Sequence, residues 1–357
     1  MTSVHLRKLL ITVCAAVCAC TVGGCNNNGG GSGNKARSAT DSSAAGAVPR
    51  EQTLYVGGFQ WGPPSSFNPL AITPAWPVTG NMNLIYEALF GYDLLDGTLK
   101  GIIGKSFAIR DGVLALELNK EVRWQNGELL TADDVIYSYT LHKKYTTNFS
   151  GTWNLITSMN KIDAYHIECM LDKANDNPLM IRDIIASVQI LPKKIFEALE
   201  KECFEKVAAE LGSAPGNAEV LDKIREFKND RSPVGSGPYT LASYTNNEIV
   251  LKRVDAYWGN SQYDGKQPAP VYIVHRAYDS NDKFNQALTN GDLDLSQTFC
   301  PQIWEKFSSG VGTWYAKEPY YIPGIIPALL MSVTKKPFND VNFRRAVAHA
   351  IDYEKIR

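Results

Sequence analysis

The run Trp124-Gln125-Asn126-Gly127-Glu128-Leu129-Leu130-Thr131-Ala132-Asp133-Asp134-Val135 restricts this chain more than any other stretch. An aromatic strand end is followed by Asn-Gly, the pair most tolerant of the positive φ that tight turns need. Thr131 precedes Asp134 by three, the spacing of a capping box with Asp in place of Glu or Gln. Val135, Ile136 and Tyr139 then recur at helical spacing. The run therefore predicts strand, turn and capped helix.

The N-terminus carries an address. His5, Arg7 and Lys8 precede an uncharged apolar run from Leu9 to Val22, shorter than the roughly 20 residues of a spanning helix. It reads as a signal peptide ending in Val22-Gly23-Gly24-Cys25, small residues before a cysteine, as in a lipobox. Cys25 is then the acylated N-terminus, and each buried CH₂ of its chains adds ~0.8 kcal/mol of membrane attachment. Ordinary signal cleavage beside a chance cysteine is the alternative. From Asn26 to about Ala47 the chain is mostly Asn, Gly, Ser and Ala with almost nothing large and apolar, a tether that cannot bury enough apolar surface to fold.

Of seven cysteines, Cys14, Cys18 and Cys20 fall in the leader, leaving Cys169, Cys203 and Cys300 in the body. No Cys-x-x-Cys or Cys/His ligand spacing occurs, so neither a disulfide framework nor a zinc site is expected, and buried thiols are. Loss of Arg7 and Lys8 with the leader takes the formal charge from −1 to −3. Such a balance gives no sign of nucleic-acid binding.

The body reads as mixed α/β. Strands are expected at Gln52–Gly58, through Leu114, Leu116 and Leu118, and in a pair opened by Pro233–Tyr239 and continued through Ile249, Leu251 and Arg253. Helices are expected at Asn83–Phe90, Thr131–Tyr145, after Pro178, at Pro192–Leu211, and over Glu219–Phe227. A last helix has Phe343, Ala346, Val347, Ala350 and Ile351 on one face and Asp340 as N-cap. Arg344 and Arg345 flank that stripe and read as a solvated edge.

The opening run resembles the signature of family 5 extracellular solute-binding proteins, the receptors of peptide, oligosaccharide and nickel importers. Further islands follow in that family's order from Tyr86 to Asp352. They are Tyr86-Glu87-Ala88-Leu89-Phe90, Gly235-Ser236-Gly237-Pro238-Tyr239, Tyr257-Trp258-Gly259 and Ala287-Leu288-Thr289-Asn290-Gly291-Asp292-Leu293-Asp294. Pro337-Phe338-Asn339-Asp340 through Arg344-Arg345-Ala346, with Ala350-Ile351-Asp352, completes the set. Departures are Ser236 for Thr, Asp255 where Asn is usual a position earlier, and Asn342 for the first Arg.

The resemblance implies a two-lobed α/β fold of the periplasmic-binding-protein type, with an extra subdomain and an incomplete second lobe. The implied parts are the leader 1–24, the tether 25–50, a first lobe from 51–72 and 190–272, an inserted subdomain 73–189 and a partial second lobe 273–357. It also implies lobe closure on a solute, with no catalytic residue, cofactor or metal, and handover to an ABC permease by a monomer held at the outer face of the bacterial cytoplasmic membrane. Oligopeptides are the expected solute and oligosaccharides the alternative. A secreted hydrolase is a third reading, although no Gly-x-Ser-x-Gly elbow or His-Glu-x-x-His appears. Trp61, Phe67, Asn68 and Trp76, in Pro/Gly-rich loop surroundings, are the expected ligand contacts, the tryptophans as stacking platforms or as braces of the first lobe. Asn68 would offer its amide to a peptide backbone or a sugar hydroxyl. Trp124 and Trp258 are expected in the core, with Trp153, Trp304 and Trp314 open.

Overall fold

The computed structural model describes residues 48–58, 64–78, 84–93, 97–145, 147, 152–173, 177–296, 305–306, 308, 310–312 and 329–356. The leader, residues 25–47 of the tether with Cys25, Trp61, Cys300, Trp304 and Trp314 lie outside the described residues. The strands are β1 (Thr53–Gly57), β2 (Phe90–Tyr92), β3 (Leu99–Gly101), β4 (Gly104–Arg110), β5 (Val113–Leu118), β6 (Ile156–Lys161), β7 (His166–Leu171), β8 (Tyr239–Tyr244), β9 (Glu248–Arg253), β10 (Tyr272–Arg276) and β11 (Leu295–Ser296). The helices are α1 (Ala132–Tyr145), α2 (Pro178–Ser187), α3 (Lys193–Leu211), α4 (Asn217–Arg225), α5 (Asn281–Asn290), α6 (Val341–Ala350) and α7 (Tyr353–Ile356).

Two sheets organise two cores. The first runs β11-β1-β10-β9-β8, with β1 parallel to both β10 and β11 and the rest antiparallel. Side chains alternate across it. Val56, Ile249, Leu251 and Ile273 enter a core shared with Phe67, Trp76, Tyr86, Leu141, Phe196 and Ile224. The opposite face carries Tyr55 and Gly57 toward α5, where Phe284, Ala287 and Leu293 pack. A Cβ at Gly57 would stand 2.5 Å from both Leu293 and Phe284, so α5 seats only over glycine. The second sheet, β4-β5-β7-β6, is antiparallel. It buries Leu114, Leu116 and Leu118 against α1 and α2 with Trp124, Leu130, Val135, Trp153 and Trp258.

The opening run folds as its residues dictate. The Gly127 amide donates to Trp124 O (2.8 Å) and Gly127 takes φ +88°, while the Trp124 amide donates back to Glu128 O (2.9 Å). Asn126 keeps a negative φ, so glycine alone supplies the left-handed step. At the start of α1 the Asp134 carboxylate accepts from the Thr131 amide (3.0 Å) and Thr131 Oγ1 accepts from the Asp133 amide (3.3 Å).

One expected element does not form. Residues 84–86 are bends rather than helix, Ala88 bridges Gln189, and Phe90 opens β2. The carbonyls a helix would use serve distant partners instead. Ile85 O accepts from Gly237, Leu84 O from Tyr239, Glu87 O from Ile190, and Leu89 O from Ile102 and Gly104. Tertiary pairing here overrides local helical preference. Cys169 and Cys203 are free and buried.

Candidate functional site

The parallel strands β1, β10 and β11 end on one edge of the first sheet, at Gly57, Arg276 and Ser296. Ligands of open α/β sheets gather outside such carboxyl ends. The antiparallel register brings Glu248, the first residue of β9, opposite Arg276 at that edge. An open hollow of about 320 Å³ lies there, lined by Thr245, Asn247, Glu248, Arg276, Ala277 and Tyr278.

The hollow is polar. Arg276 Nε donates to Glu248 Oε2 at 3.2 Å, and its guanidinium lies 4.4 Å from the Tyr55 ring centre. Arg50 covers the same ring at 5.0 Å and pairs with Asp294, whose other oxygen accepts from the Tyr55 amide (2.8 Å). Hydrogen bonds from Arg50 and Tyr55 hold the Asp294 carboxyl below the usual range against the opposing effect of burial. Burial pushes the Tyr278 phenol upward, and neighbouring Arg276 partly offsets it.

On the other sheet face, one residue back along β10, His275 stacks on Trp76 with ring centres 4.6 Å apart and an interplanar angle of 15°. His275 is 1% exposed, and neither ring nitrogen has a hydrogen-bond partner. Burial lowers its pKa to about 4, so the ring is neutral at pH 7.

Of the sequence-predicted contacts, Phe67, Asn68 and Trp76 are buried at the first core, and Trp61 lies outside the described residues. Trp76 is 8% exposed and Phe67 and Asn68 are fully enclosed. Phe67 packs edge-on to Tyr244 at 5.2 Å. Asn68 does not display its amide: Nδ2 donates to Ile224 O (2.9 Å) and Oδ1 accepts from the Leu70 amide (3.0 Å), pinning this loop to α4. The physical reason is local, since a loop crossing a core must satisfy its own backbone. The Arg276–Glu248 pair was missed because neither residue stands in a motif. Its only sequence signal is opposite charge at facing positions of two alternating strands.

A second hollow of about 280 Å³ lies between α1 and β6, lined by Lys143, Trp153 and Met159 among others. Its cations are engaged internally, Lys143 with Ile156 O (2.6 Å) and Lys144 with Glu200 (2.7 Å). Among the described residues no cluster of three or more His, Cys, Asp or Glu is arranged for a metal, and no helix is long and apolar enough to cross a membrane.

Residues 110–357 match the model of bacterial extracellular solute-binding proteins, family 5 middle. The chain belongs to this family. The oligopeptide-binding protein AppA of Bacillus subtilis is 27% identical over 65% of this chain and 39% of its own length. The periplasmic oligopeptide-binding protein OppA of Escherichia coli is 23% identical over 76% of this chain and 48% of its own. Among solved structures, a mannohexaose-bound periplasmic oligopeptide-binding protein of an ABC transporter from Thermotoga maritima is similar at TM-score 0.69 and 31% identity. The match covers 87% of this chain and 53% of that one. This family 5 protein thus spans about half the length of the relatives it matches. It shares the two-lobed α/β fold of periplasmic binding proteins, and the relatives named are oligopeptide-binding proteins, the Thermotoga maritima one of an ABC transporter.

Proposed function

We propose that this chain captures solute for an ABC importer as a monomeric lipoprotein, anchored through Cys25 to the outer face of the cytoplasmic membrane and presenting its cargo to a permease. In this reading 51–72 and 190–272 form the first lobe, 73–189 the inserted subdomain and 273–357 part of the second lobe. Closure is a population shift, because solute touches both lobes only in the closed state. The observation that carries the reading is the polar hollow at the carboxyl edge of β1 and β10 in a family 5 chain, with the Trp76–His275 stack on the opposite face of the same sheet.

Oligopeptides are the first choice of solute, in keeping with the peptide-binding relatives. An oligosaccharide is the second, favoured by the mannohexaose held in the 31% identical structure. Trp61 and Trp76 are the proposed contacts, while Phe67 and Asn68 hold their loop in place. Thermal shift of the purified chain against di- to pentapeptides and β-linked oligosaccharides tests this. A solute at 100 times its Kd adds about 2.7 kcal/mol. Trp76→Ala is expected to weaken binding about tenfold, the equivalent of ~1.4 kcal/mol, with the protein still folded. Unchanged affinity would remove Trp76 from the contact set, and an absence of any shift would remove the receptor reading.

A further inference from the structure

We propose that Arg276 and Glu248 form a charge-neutral donor–acceptor subsite of the solute crevice. It takes a neutral group whose own acceptor and donor stand side by side, a main-chain amide or a vicinal diol, and it rejects a free carboxylate. The proposal rests on the receptor reading above and names the chemistry that the crevice selects.

Position comes first. Glu248 and Arg276 face each other across β9 and β10 at the carboxyl edge, and both line the hollow of about 320 Å³. Their side chains are 37% and 38% exposed, so a solute reaches them. Preorganisation comes second. The guanidinium lies over the Tyr55 ring at 4.4 Å from its centre, and that ring is covered in turn by Arg50, itself paired with Asp294. The Ala277 amide donates to Asn247 O (2.9 Å), tying the end of β10 to the β8–β9 turn that forms the far wall. Little side-chain freedom is left to lose on binding.

Chemistry comes third. A guanidinium carries five N–H donors and a carboxylate about four acceptor sites, so one 3.2 Å bond leaves both groups with capacity to spare. Opposite charges this close cancel at the distance of a bound solute. A second carboxylate gains from Arg276 and loses a similar amount to Glu248. A neutral amide or diol pays no such penalty and engages both partners at once.

The test uses the purified full chain and isothermal titration. Neutral probes are N-acetyl-trialanine amide, cellotriose and mannotriose. Charged counterparts are N-acetyl-triglutamate amide and trigalacturonate. Binding of the amide but not the sugars assigns the subsite to peptide, and the reverse assigns it to sugar. In either case Arg276→Met lowers affinity for the neutral probe about tenfold or more, and Glu248→Gln raises affinity for its charged counterpart by a similar factor. Arg276→Lys retains charge and loses the fork, so it falls between Arg276→Met and the unmodified chain and stands in if Arg276→Met fails to fold. Neutral and charged probes binding equally to unmodified and substituted chains overturns the subsite and leaves the receptor reading intact. No binding by the unmodified chain overturns both.

Discussion

Glu87 is enclosed between the two cores, with Tyr86 in one and Leu89 in the other, and is only 3% exposed. Burial pushes its carboxyl up to about 7, although Tyr257 Oη (2.5 Å) and Trp258 Nε1 (3.3 Å) donate to it. The folded protein therefore holds a proton that the unfolded chain releases near the ordinary value of 4.5. The contribution of this group to stability must fall as pH rises between 4.5 and 7 and then level off, a loss of about 3 kcal/mol from Glu87 alone. His142 and His275 act oppositely. Burial lowers both to about 4, so their contribution is whole above 6.5 and is lost as pH falls toward 4. Urea unfolding of the native chain and Glu87→Gln across pH 4.5–8 separates them. The difference between the two curves should grow with pH and saturate above 7, and parallel curves would refute the assignment. Nothing near Glu87 in sequence marks it as buried, since its donors lie 170 and 171 positions away.

Single helices and turns were largely legible because caps and periodicity are local, but what joins them was not. The Thr131/Asp134 box was readable from spacing. Asp134 also accepts from the Lys193 amide at 3.0 Å, so one carboxylate caps the starts of both α1 and α3. Asp134→Ala should accordingly cost about 2–4 kcal/mol, two charge-assisted caps, against about 1 kcal/mol for Thr131→Ala. Thermal unfolding followed by circular dichroism would expose an equal loss in the two variants, which would deny the double role. Gly235 makes the same point for a turn. A Cβ there would lie 1.8 Å from Ile85 O, because the Gly235–Tyr239 island receives the Leu84–Ile85 backbone flat against it. That island and the misread Asn83–Phe90 helix are two sides of one contact. Neither side alone announces the other.

At the scale of the molecule, four of the islands of family resemblance, those opening at Tyr86, Trp124, Gly235 and Tyr257, meet at the junction of the two cores. Gln125 donates from its backbone to Gly235 O (2.8 Å) and from its side chain to Gly237 O and Tyr239 O. Trp258 Nε1 donates to Ser236 O (2.9 Å) and Tyr257 to Glu87. Fold class was legible because these junction residues are set by backbone contact, which tolerates few side chains. The Arg276–Glu248 edge was not, because surface pairing tolerates many. Residues 329–356 stand apart from this junction. α6 forms where its pattern predicts, and Asp340 caps it through the Asn342 amide (2.7 Å), yet only Val347 of its stripe is buried. Arg344 bonds Phe338 O (2.7 Å), while Leu330, Val333 and Tyr353 are 91%, 60% and 62% exposed. α1, by contrast, buries Val135, Ser138, Tyr139, Leu141, His142 and Tyr145. Local opening free energy follows such burial, so α6 should open well below the global unfolding energy. Brief trypsin treatment, read by mass spectrometry, should cut at Lys335, Arg344 or Arg345 before any Lys or Arg between 97 and 253. First cuts inside α1 or the β4–β7 sheet would mean that burial does not order the stability of this chain.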